Sequence, residues 1–454
     1  QYNISPETVN KDKRQIKKMT VDKLLSQDVD MSGMRQRQLT MTPNGALFKT
    51  NKKGFLSEMM ETMYNDRVNY KRLMLQSKQE YENTKDPKLL KDIAKYNNIQ
   101  MAKKISLNSA YGAIGNEYFR YYDLLIAEGI TTAGQLSIRW IENKINQYMN
   151  KLLETKDKDY VIASDTDSIY VTFEGLIEKY KPKSPVDFLD IVAKEKIEPY
   201  IDKSYQELAN YTNAYAQKMQ MKREVIADKG IWTAKKRYIL NAWDVEGVRY
   251  KEPQLKMMGI EAVKSSTPAP CRQKIKDALK IIMSGDEKML NSFIKNFRDE
   301  FMNLSPEDIA YPRSVNGVSK YTDSSSGHDV SINLLDMREQ IVQYNLFKKR
   351  APIHVKGAIL YNHLVEKHKM NNKLVYIQEG DKIKFLHMKE PNIYQSSSIS
   401  FITELPKGLG LHGMIDYELQ FEKSFVEPLK FITDKVLWRI DDSYGQQGTL
   451  EDFF

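Results

Sequence analysis

Val161-Ile162-Ala163-Ser164-Asp165-Thr166-Asp167-Ser168-Ile169-Tyr170-Val171 sets two aspartates, one residue apart, between runs of β-branched and aromatic residues. Such flanks favour strands, and aspartate favours turns, so the stretch reads as a hairpin with the acidic pair at its tip. Residues i and i+2 of an extended chain point to one side, which would let Asp165 and Asp167 face a common point. Converging carboxylates suit magnesium, which takes oxygen ligands and keeps places for water and phosphate. Taken alone, the pair reads more simply as an acidic turn; its surroundings decide the matter.

Those surroundings are 454 residues, enough for about three domains. With 41% hydrophobic and 28% charged residues, the composition suits a packed core under a polar surface. A single cysteine, Cys271, excludes an internal disulfide framework, and with six scattered histidines it leaves no zinc-type cluster. No uncharged apolar run reaches membrane-spanning length, so no membrane partner is expected. The net charge of +9 permits a polyanionic partner without requiring one.

A helical block runs from near Gly54 to about Lys85, breaks at Asp86-Pro87 and resumes from Lys88 to about Ala113, the pattern of an αα-hairpin. A third long helix is expected from about Asp123 to Leu153, ahead of the acidic hairpin. Helical and strand-like segments then alternate to about Tyr250, and a further region is expected after Glu252-Pro253. From Ser443 the periodicity fades into a tail. The first residue is Gln1, and the expectation is that the chain was cut from a longer polypeptide or is incomplete at its start.

Arg67 and Lys71 are four apart and share a helical face; Lys104, Asn108 and Tyr111 share another. Antiparallel pairing would gather three cations, an amide and a ring, a set suited to a nucleoside triphosphate. Arg67 and Lys71 alone would read as a solvated basic face. Gly112 costs its helix about 1 kcal/mol, which points to close approach by another group.

Lys104-Ile-Ser-Leu-Asn108-Ser-Ala-Tyr111-Gly112 resembles the fingers-helix motif of family B DNA polymerases, and Ser164-Asp165-Thr166-Asp167-Ser168 resembles their palm motif. Lys235-Lys236-Arg237-Tyr238 is similar to their primer-duplex-binding motif. Leu255-Lys256-Met-Met-Gly259-Ile-Glu261 and Lys264-Ser-Ser-Thr-Pro268 are similar to the palm-to-thumb segment. Four motifs in order make accident a poor explanation. Phe119-Arg-Tyr-Tyr-Asp123 and Trp243-Asp244-Val-Glu-Gly247 narrow the resemblance to the replicative enzymes of T-even-like bacteriophages.

The resemblance implies an α+β right-hand fold: part of the palm in 1–53, helical-hairpin fingers in 54–106, palm in 107–250, and a mixed α/β thumb in 251–442. A clamp-binding tail would follow in 443–454, and the amino-terminal and exonuclease domains would be lacking. It implies template-directed DNA synthesis with two Mg2+ ions, primer-template DNA and dNTP, in the cytoplasm of an infected bacterium. Asp167 would bind metal with Asp165 beside it; Arg67, Lys71 and Lys104 would grip the triphosphate, and Lys104 could protonate the leaving pyrophosphate. Asn108 and Tyr111 would shape the base-pair pocket, and Glu224 would be a supporting acid. Lys235, Lys236, Arg237, Tyr238, Asp244, Lys256 and Lys264 would meet DNA. Gln447, Leu450, Phe453 and Phe454 would dock on a sliding clamp, apolar anchors at a chain end being suited to a partner pocket.

There are departures. The family's first palm motif, Asp-x-x-Ser-Leu-Tyr-Pro-Ser, does not occur in the sequence, and Lys222 stands where close relatives place an aspartate. Ser164 replaces the usual glycine, and the fingers hairpin is short. The expectation is therefore a split or truncated polymerase, inactive or nearly so alone and completed by a companion chain bearing the missing motif and the exonuclease. The alternative is a non-catalytic subunit that binds primer-template and clamp.

Overall fold

A computed structural model describes residues 1–10, 18–322, 346–348 and 350–441. The chain divides into two compact units, one of residues 1–228 and 242–254, the other of 229–241 and the described residues from 255 onward.

The first unit begins with a small antiparallel sheet of β1 (Val9–Asn10), β2 (Leu39–Met41) and β3 (Leu47–Lys49), ordered β1-β3-β2. Helix α1 (Phe55–Thr84) follows, and α2 (Lys88–Ile114) returns beside it after Lys85 takes a left-handed φ of 56°. Asp86-Pro87 then prevents continuation, since proline disfavours helical backbone in the residue before it. The two helices are tied by Lys103 Nζ to Asp66 Oδ2 at 2.8 Å and by the rings of Tyr70 and Tyr96. α1 fully buries none of its residues and α2 only Gln100 and Ile114, so the pair forms an arm with little core of its own.

α3 (Leu124–Leu153) is the opposite case. Its cap is Asp123, whose carboxylate accepts the Leu125 N–H at 3.0 Å. Leu136, Trp140, Ile141, Ile145 and Met149 recur at helical spacing and form a buried stripe. That stripe shares a core with Leu39, Met41 and Leu47, with Tyr160 and Val161, and with Ile201, Tyr205 and Leu208. Thus β4 (Val161–Asp165) and β5 (Ser168–Val171), the expected hairpin, rest on packed side chains. α4 (Pro185–Val192) leads through a π-helical turn into α5 (Glu198–Tyr211).

Three longer strands, β6 (Val225–Ala234), β7 (Arg237–Val245) and β8 (Val248–Met258), form a sheet in that order and pass from one unit to the other along their lengths. A further region was expected after Glu252-Pro253, and the second unit does resume at Leu255, although β8 itself runs through the proline. β8 lies at the sheet edge, where an N–H can be missing without leaving a partner strand unpaired.

In the second unit α6 (Ala269–Ser284) and α7 (Glu287–Phe301) accompany β9 (Tyr311–Ser314), α8 (Ile353–Lys367), β10 (Lys382–His387) and β11 (Ser398–Phe401). The strands pair antiparallel in the order β11-β10-β9. The core centres on Phe297, Phe301, Phe421 and Phe425, with Phe297 and Phe425 edge-on at 4.7 Å. The whole is a mixture of helices and separate antiparallel sheets. No helix among the described residues is long and apolar enough to cross a membrane.

Phe297 is 1% exposed, so Phe297→Ala removes a ring that the surrounding phenylalanines cannot replace. It should destabilise the second unit by about 3–5 kcal/mol, read as a lower denaturant midpoint with an unchanged slope.

Candidate active site

The acidic pair lies on a tight turn. Asp165 pairs with Ser168 across the hairpin, leaving only Thr166 and Asp167 as the loop. The Asp167 N–H donates to the Asp165 carbonyl at 2.6 Å, closing a three-residue turn around Thr166, whose φ is 56°. A β-branched residue in that region costs roughly 1–2 kcal/mol, and such strain collects at functional sites. The i, i+2 alternation of an extended strand therefore does not govern this pair, because the chain reverses between its members. Asp165 is half-buried and accepts the Thr166 hydroxyl at 2.9 Å, while Asp167 is exposed. Beneath the turn, burial and then the Asp167 charge push the Tyr205 phenol up to about 12.

On the arm, Arg67 and Lys71 are half-buried, and Lys104 and Asn108 are exposed. Arg67 Nε is buried and makes no hydrogen bond. Tyr111 is 43% exposed and borders a cavity of about 860 Å³, together with Tyr64, Val68, Leu107, Tyr215 and Met219. A Cβ on Gly112 would meet nothing within 4 Å, so nothing inside the described chain requires glycine there and a ligand could approach.

A third cluster surrounds the β7–β8 turn. Asp244 is 2% exposed and is bonded by Arg223 Nη1 through one oxygen and by Arg249 Nε at 3.1 Å through the other. The Gly247 N–H also donates to Asp244 Oδ1 at 2.9 Å. Arg223 reaches on to Asp190 at 2.7 Å, and Arg249 to Asp187 at 2.5 Å. Lys71, the expected phosphate ligand, is paired with Glu246 of the same turn at 2.6 Å.

A family model described as DNA polymerase family B matches residues 1–185. The DNA-directed DNA polymerase of Escherichia phage RB69 is 36% identical over 374 residues, 78% of this chain and 38% of that protein. The enzyme of the same description from Enterobacteria phage T4 is 36% identical over 351 residues, 73% of this chain and 36% of its own length. The DNA polymerase delta catalytic subunit of Candida albicans is 30% identical over 143 residues, 31% of this chain and 13% of that subunit. The chain belongs to DNA polymerase family B. It spans well under half the length of either phage relative.

The remaining predicted residues of this family B chain divide by environment. Lys235 and Lys236 stand exposed on the β6–β7 turn. Arg237 makes a two-pronged pair with Glu261, at 2.9 and 2.7 Å, and Lys264 joins the same carboxylate at 2.9 Å. Burial raises the Glu261 pKa, but the bonds from Arg237 and Lys264 outweigh it, leaving the carboxyl below its usual value. Tyr238 is 5% exposed, its ring 6.4 Å from that of Trp232, so its side chain is part of the packing beneath the exposed cations. A Cβ on Gly259 would stand 2.3 Å from the Lys236 carbonyl, so glycine lets the chain pass close under this turn. Lys256 is half-buried on β8. Glu224 is exposed, and its carbonyl accepts the Glu246 N–H. Lys222 pairs with Glu198 at 2.9 Å, a cation bound where an acid was in question. Gln447, Leu450, Phe453 and Phe454 lie outside the described residues.

Sequence reasoning passed over Arg223, Glu246 and Asp190, whose partners lie far off in the chain. It also gave no chemistry to the aromatic run after α2. Tyr118 is 90% exposed, and Phe119, Tyr121, Tyr122 and Phe55 are each at least 39% exposed, with Arg120 5.7 Å over the Tyr121 ring. Exposed rings beside a cation offer stacking faces for bases, and the aromatic density was the available signal.

Two outcomes follow from the charges. Asp244→Ala takes from Arg223 and Arg249 the carboxylate they share, leaving them Asp190 and Asp187, and should cost about 1.5–3 kcal/mol in a denaturation measurement. Because the Glu261 pKa is lowered on folding, its pairing stabilises the protein above pH about 4.5 and the contribution fades as pH falls through the folded value. Glu261→Gln should therefore flatten that acid-side loss in a stability-versus-pH series.

Proposed function

We propose that this chain performs the nucleotidyl-transfer part of template-directed DNA synthesis, extending a primer 3′ end with deoxynucleotides. The observation that carries the reading is the strained turn presenting Asp165 and Asp167 in a family B chain. Oxygen donors of this kind fit magnesium, with Asp167 as ligand and Asp165 beside it. Two Mg2+ ions, when bound, would activate the primer hydroxyl and neutralise charge on the departing pyrophosphate.

Among the described residues no group of three or more His, Cys, Asp or Glu gathers as a metal site. A further carboxylate is accordingly assigned to the first palm motif, on the same polypeptide or on a companion chain that also brings the exonuclease. In this reading the arm of α1 and α2 is the fingers, the region around the acidic turn is the palm, and the second unit is the thumb. Arg67, Lys71 and Lys104 take the triphosphate charge, and Lys104, exposed, delivers a proton to the leaving pyrophosphate. Asn108, Tyr111 and the open surface at Gly112 receive the new base pair. Lys235, Lys236, Arg237, Lys256 and Lys264 hold the primer duplex by its phosphates, which positions without reading sequence. Asp244 acts at one remove, by fixing the turn on which Glu246 stands. The tail residues Gln447, Leu450, Phe453 and Phe454 are assigned to a sliding clamp.

Primer extension tests the reading, with the chain supplied with the first-motif segment. Asp167→Ala should lower the rate by at least about a hundred-fold while leaving primer-template binding intact in a gel-shift titration. Equal extension by wild type and variant would sink the catalytic assignment and favour a non-catalytic primer-template-binding subunit.

A further inference from the structure

The pairing of Lys71 with Glu246 joins a residue assigned to substrate with one that has no assigned part in the reaction. We propose that Glu246 is a carboxylate latch: it holds Lys71, and with it the α1–α2 arm, against the β7–β8 turn until a triphosphate takes the lysine. The proposal rests on the reading of Lys71 as a triphosphate ligand.

Three features of the first unit carry it. The Lys71–Glu246 pair spans 175 residues of sequence at 2.6 Å, with side chains 32% and 24% exposed, so it is accessible to a competing anion. Two further contacts join the same helix to the residues just after the turn. The Arg249 N–H donates to Gln79 Oε1 at 2.8 Å, and Lys78 Nζ lies 5.6 Å over the Tyr250 ring. α1 fully buries no residue, so polar contacts such as these are well placed to bias the arm's position.

The turn is also an unusual place for glutamate. Glu246 and Gly247 are the two loop residues between β7 and β8, with φ of 54° and 88°. Turns with positive φ at both positions favour Asn-Gly, Asp-Gly or Gly-Gly, because short side chains tolerate the left-handed region. Glutamate gives up that local fit, and here its longer side chain spans to Lys71. The base beneath it is held in place: Asp244, two residues earlier, is locked by Arg223 and Arg249, and the Glu246 N–H is taken by the Glu224 carbonyl. The carboxylate is thus presented from a fixed turn towards a thinly packed arm.

The magnitudes suit an exchangeable contact. A partly exposed ion pair contributes little, which corresponds to up to about a five-fold bias in an equilibrium. A triphosphate carries more charge than one carboxylate and can outcompete it. It shifts the arm only by the difference between its affinities for the released and latched states. The latch therefore lowers apparent triphosphate affinity by a small factor and sets a resting position for the arm.

Two measurements on the full chain separate the latch from the underlying site assignment. In amide hydrogen exchange without nucleotide, Glu246→Gln should speed exchange in the part of α1 around Lys71 to Gln79. The charge-swapped pair Lys71→Glu with Glu246→Lys should restore wild-type protection; equal exchange in wild type and Glu246→Gln overturns the latch. In equilibrium binding of magnesium dATP, Glu246→Gln should bind about two- to five-fold more tightly and Lys71→Met more weakly than wild type. Unchanged affinity in Glu246→Gln, with Lys71→Met weakened, overturns the competition. Undiminished binding by Lys71→Met, or none by wild type, overturns the triphosphate role of Lys71 instead, while the exchange measurement still reports on the tether.

Discussion

A nearly buried carboxylate between two guanidinium groups governs the geometry around the β7–β8 turn. Asp244 is 2% exposed, and burying a carboxylate without such partners is strongly unfavourable. Arg223 and Arg249 each bond a different oxygen, and their outer edges go on to Asp190 and Asp187 of α4. The turn, the segment before β6 and the start of β8 are thereby fixed to one helix. Such a network adds little net stability against an apolar replacement, because desolvating the charges offsets their attraction. What it fixes is direction: the fork of an arginine accepts few geometries, so the turn points one way.

The two halves of the candidate site are built on opposite principles. The acidic turn stands on the largest core of the first unit, above Tyr160, Val161 and Tyr205, which can hold a strained Thr166 in place. Carboxylates that must share a metal need such a base, since small displacements remove a ligand from the shell. The cations instead sit on an arm whose helices are mostly solvated. An arm with little buried area can change position without repacking a core, which suits groups that must meet a charged substrate and later release it.

Local patterns in the sequence foretold the helices closely. The break at Asp86-Pro87 and the cap at Asp123 are written in neighbouring residues, and α1, α2 and α3 end where those residues indicate. The acidic hairpin was legible for the same reason, as β-branched flanks around a turn former. Its inner geometry was not, because the reversal at Thr166 depends on how Asp165 and Ser168 pair across the strands. Longer reach hid the rest. Nothing in the local sequence ties Arg223 to Asp190 or Lys71 to Glu246, and only folding brings such pairs together. Tyr238 was expected to meet DNA with the three cations before it, and it lies in a buried run with Ile239 and Leu240, its ring near that of Trp232. Pro253 marks the change of region that its type suggests, since the second unit resumes at Leu255, while the edge strand β8 continues through it.

Several cations assigned to phosphate are already matched with carboxylates: Lys71 with Glu246, and Arg237 and Lys264 with Glu261. This changes what the net charge of +9 means. A lysine in water that meets a phosphate displaces the counterions condensed on the nucleic acid, and that release drives binding at low salt. A lysine taken from an internal carboxylate must first lose its partner, and the carboxylate then remains beside the incoming phosphate. Its favourable contribution is smaller, and it depends on where the glutamate can turn. Exposed Lys235 would therefore supply general attraction more readily than the paired residues do. The paired ones contribute most when the incoming phosphate fits well enough to replace the carboxylate. Under the proposed assignments, a basic chain arranged in this way would attract polyanions through some of its cations and leave the others to distinguish a well-placed phosphate from a poorly placed one.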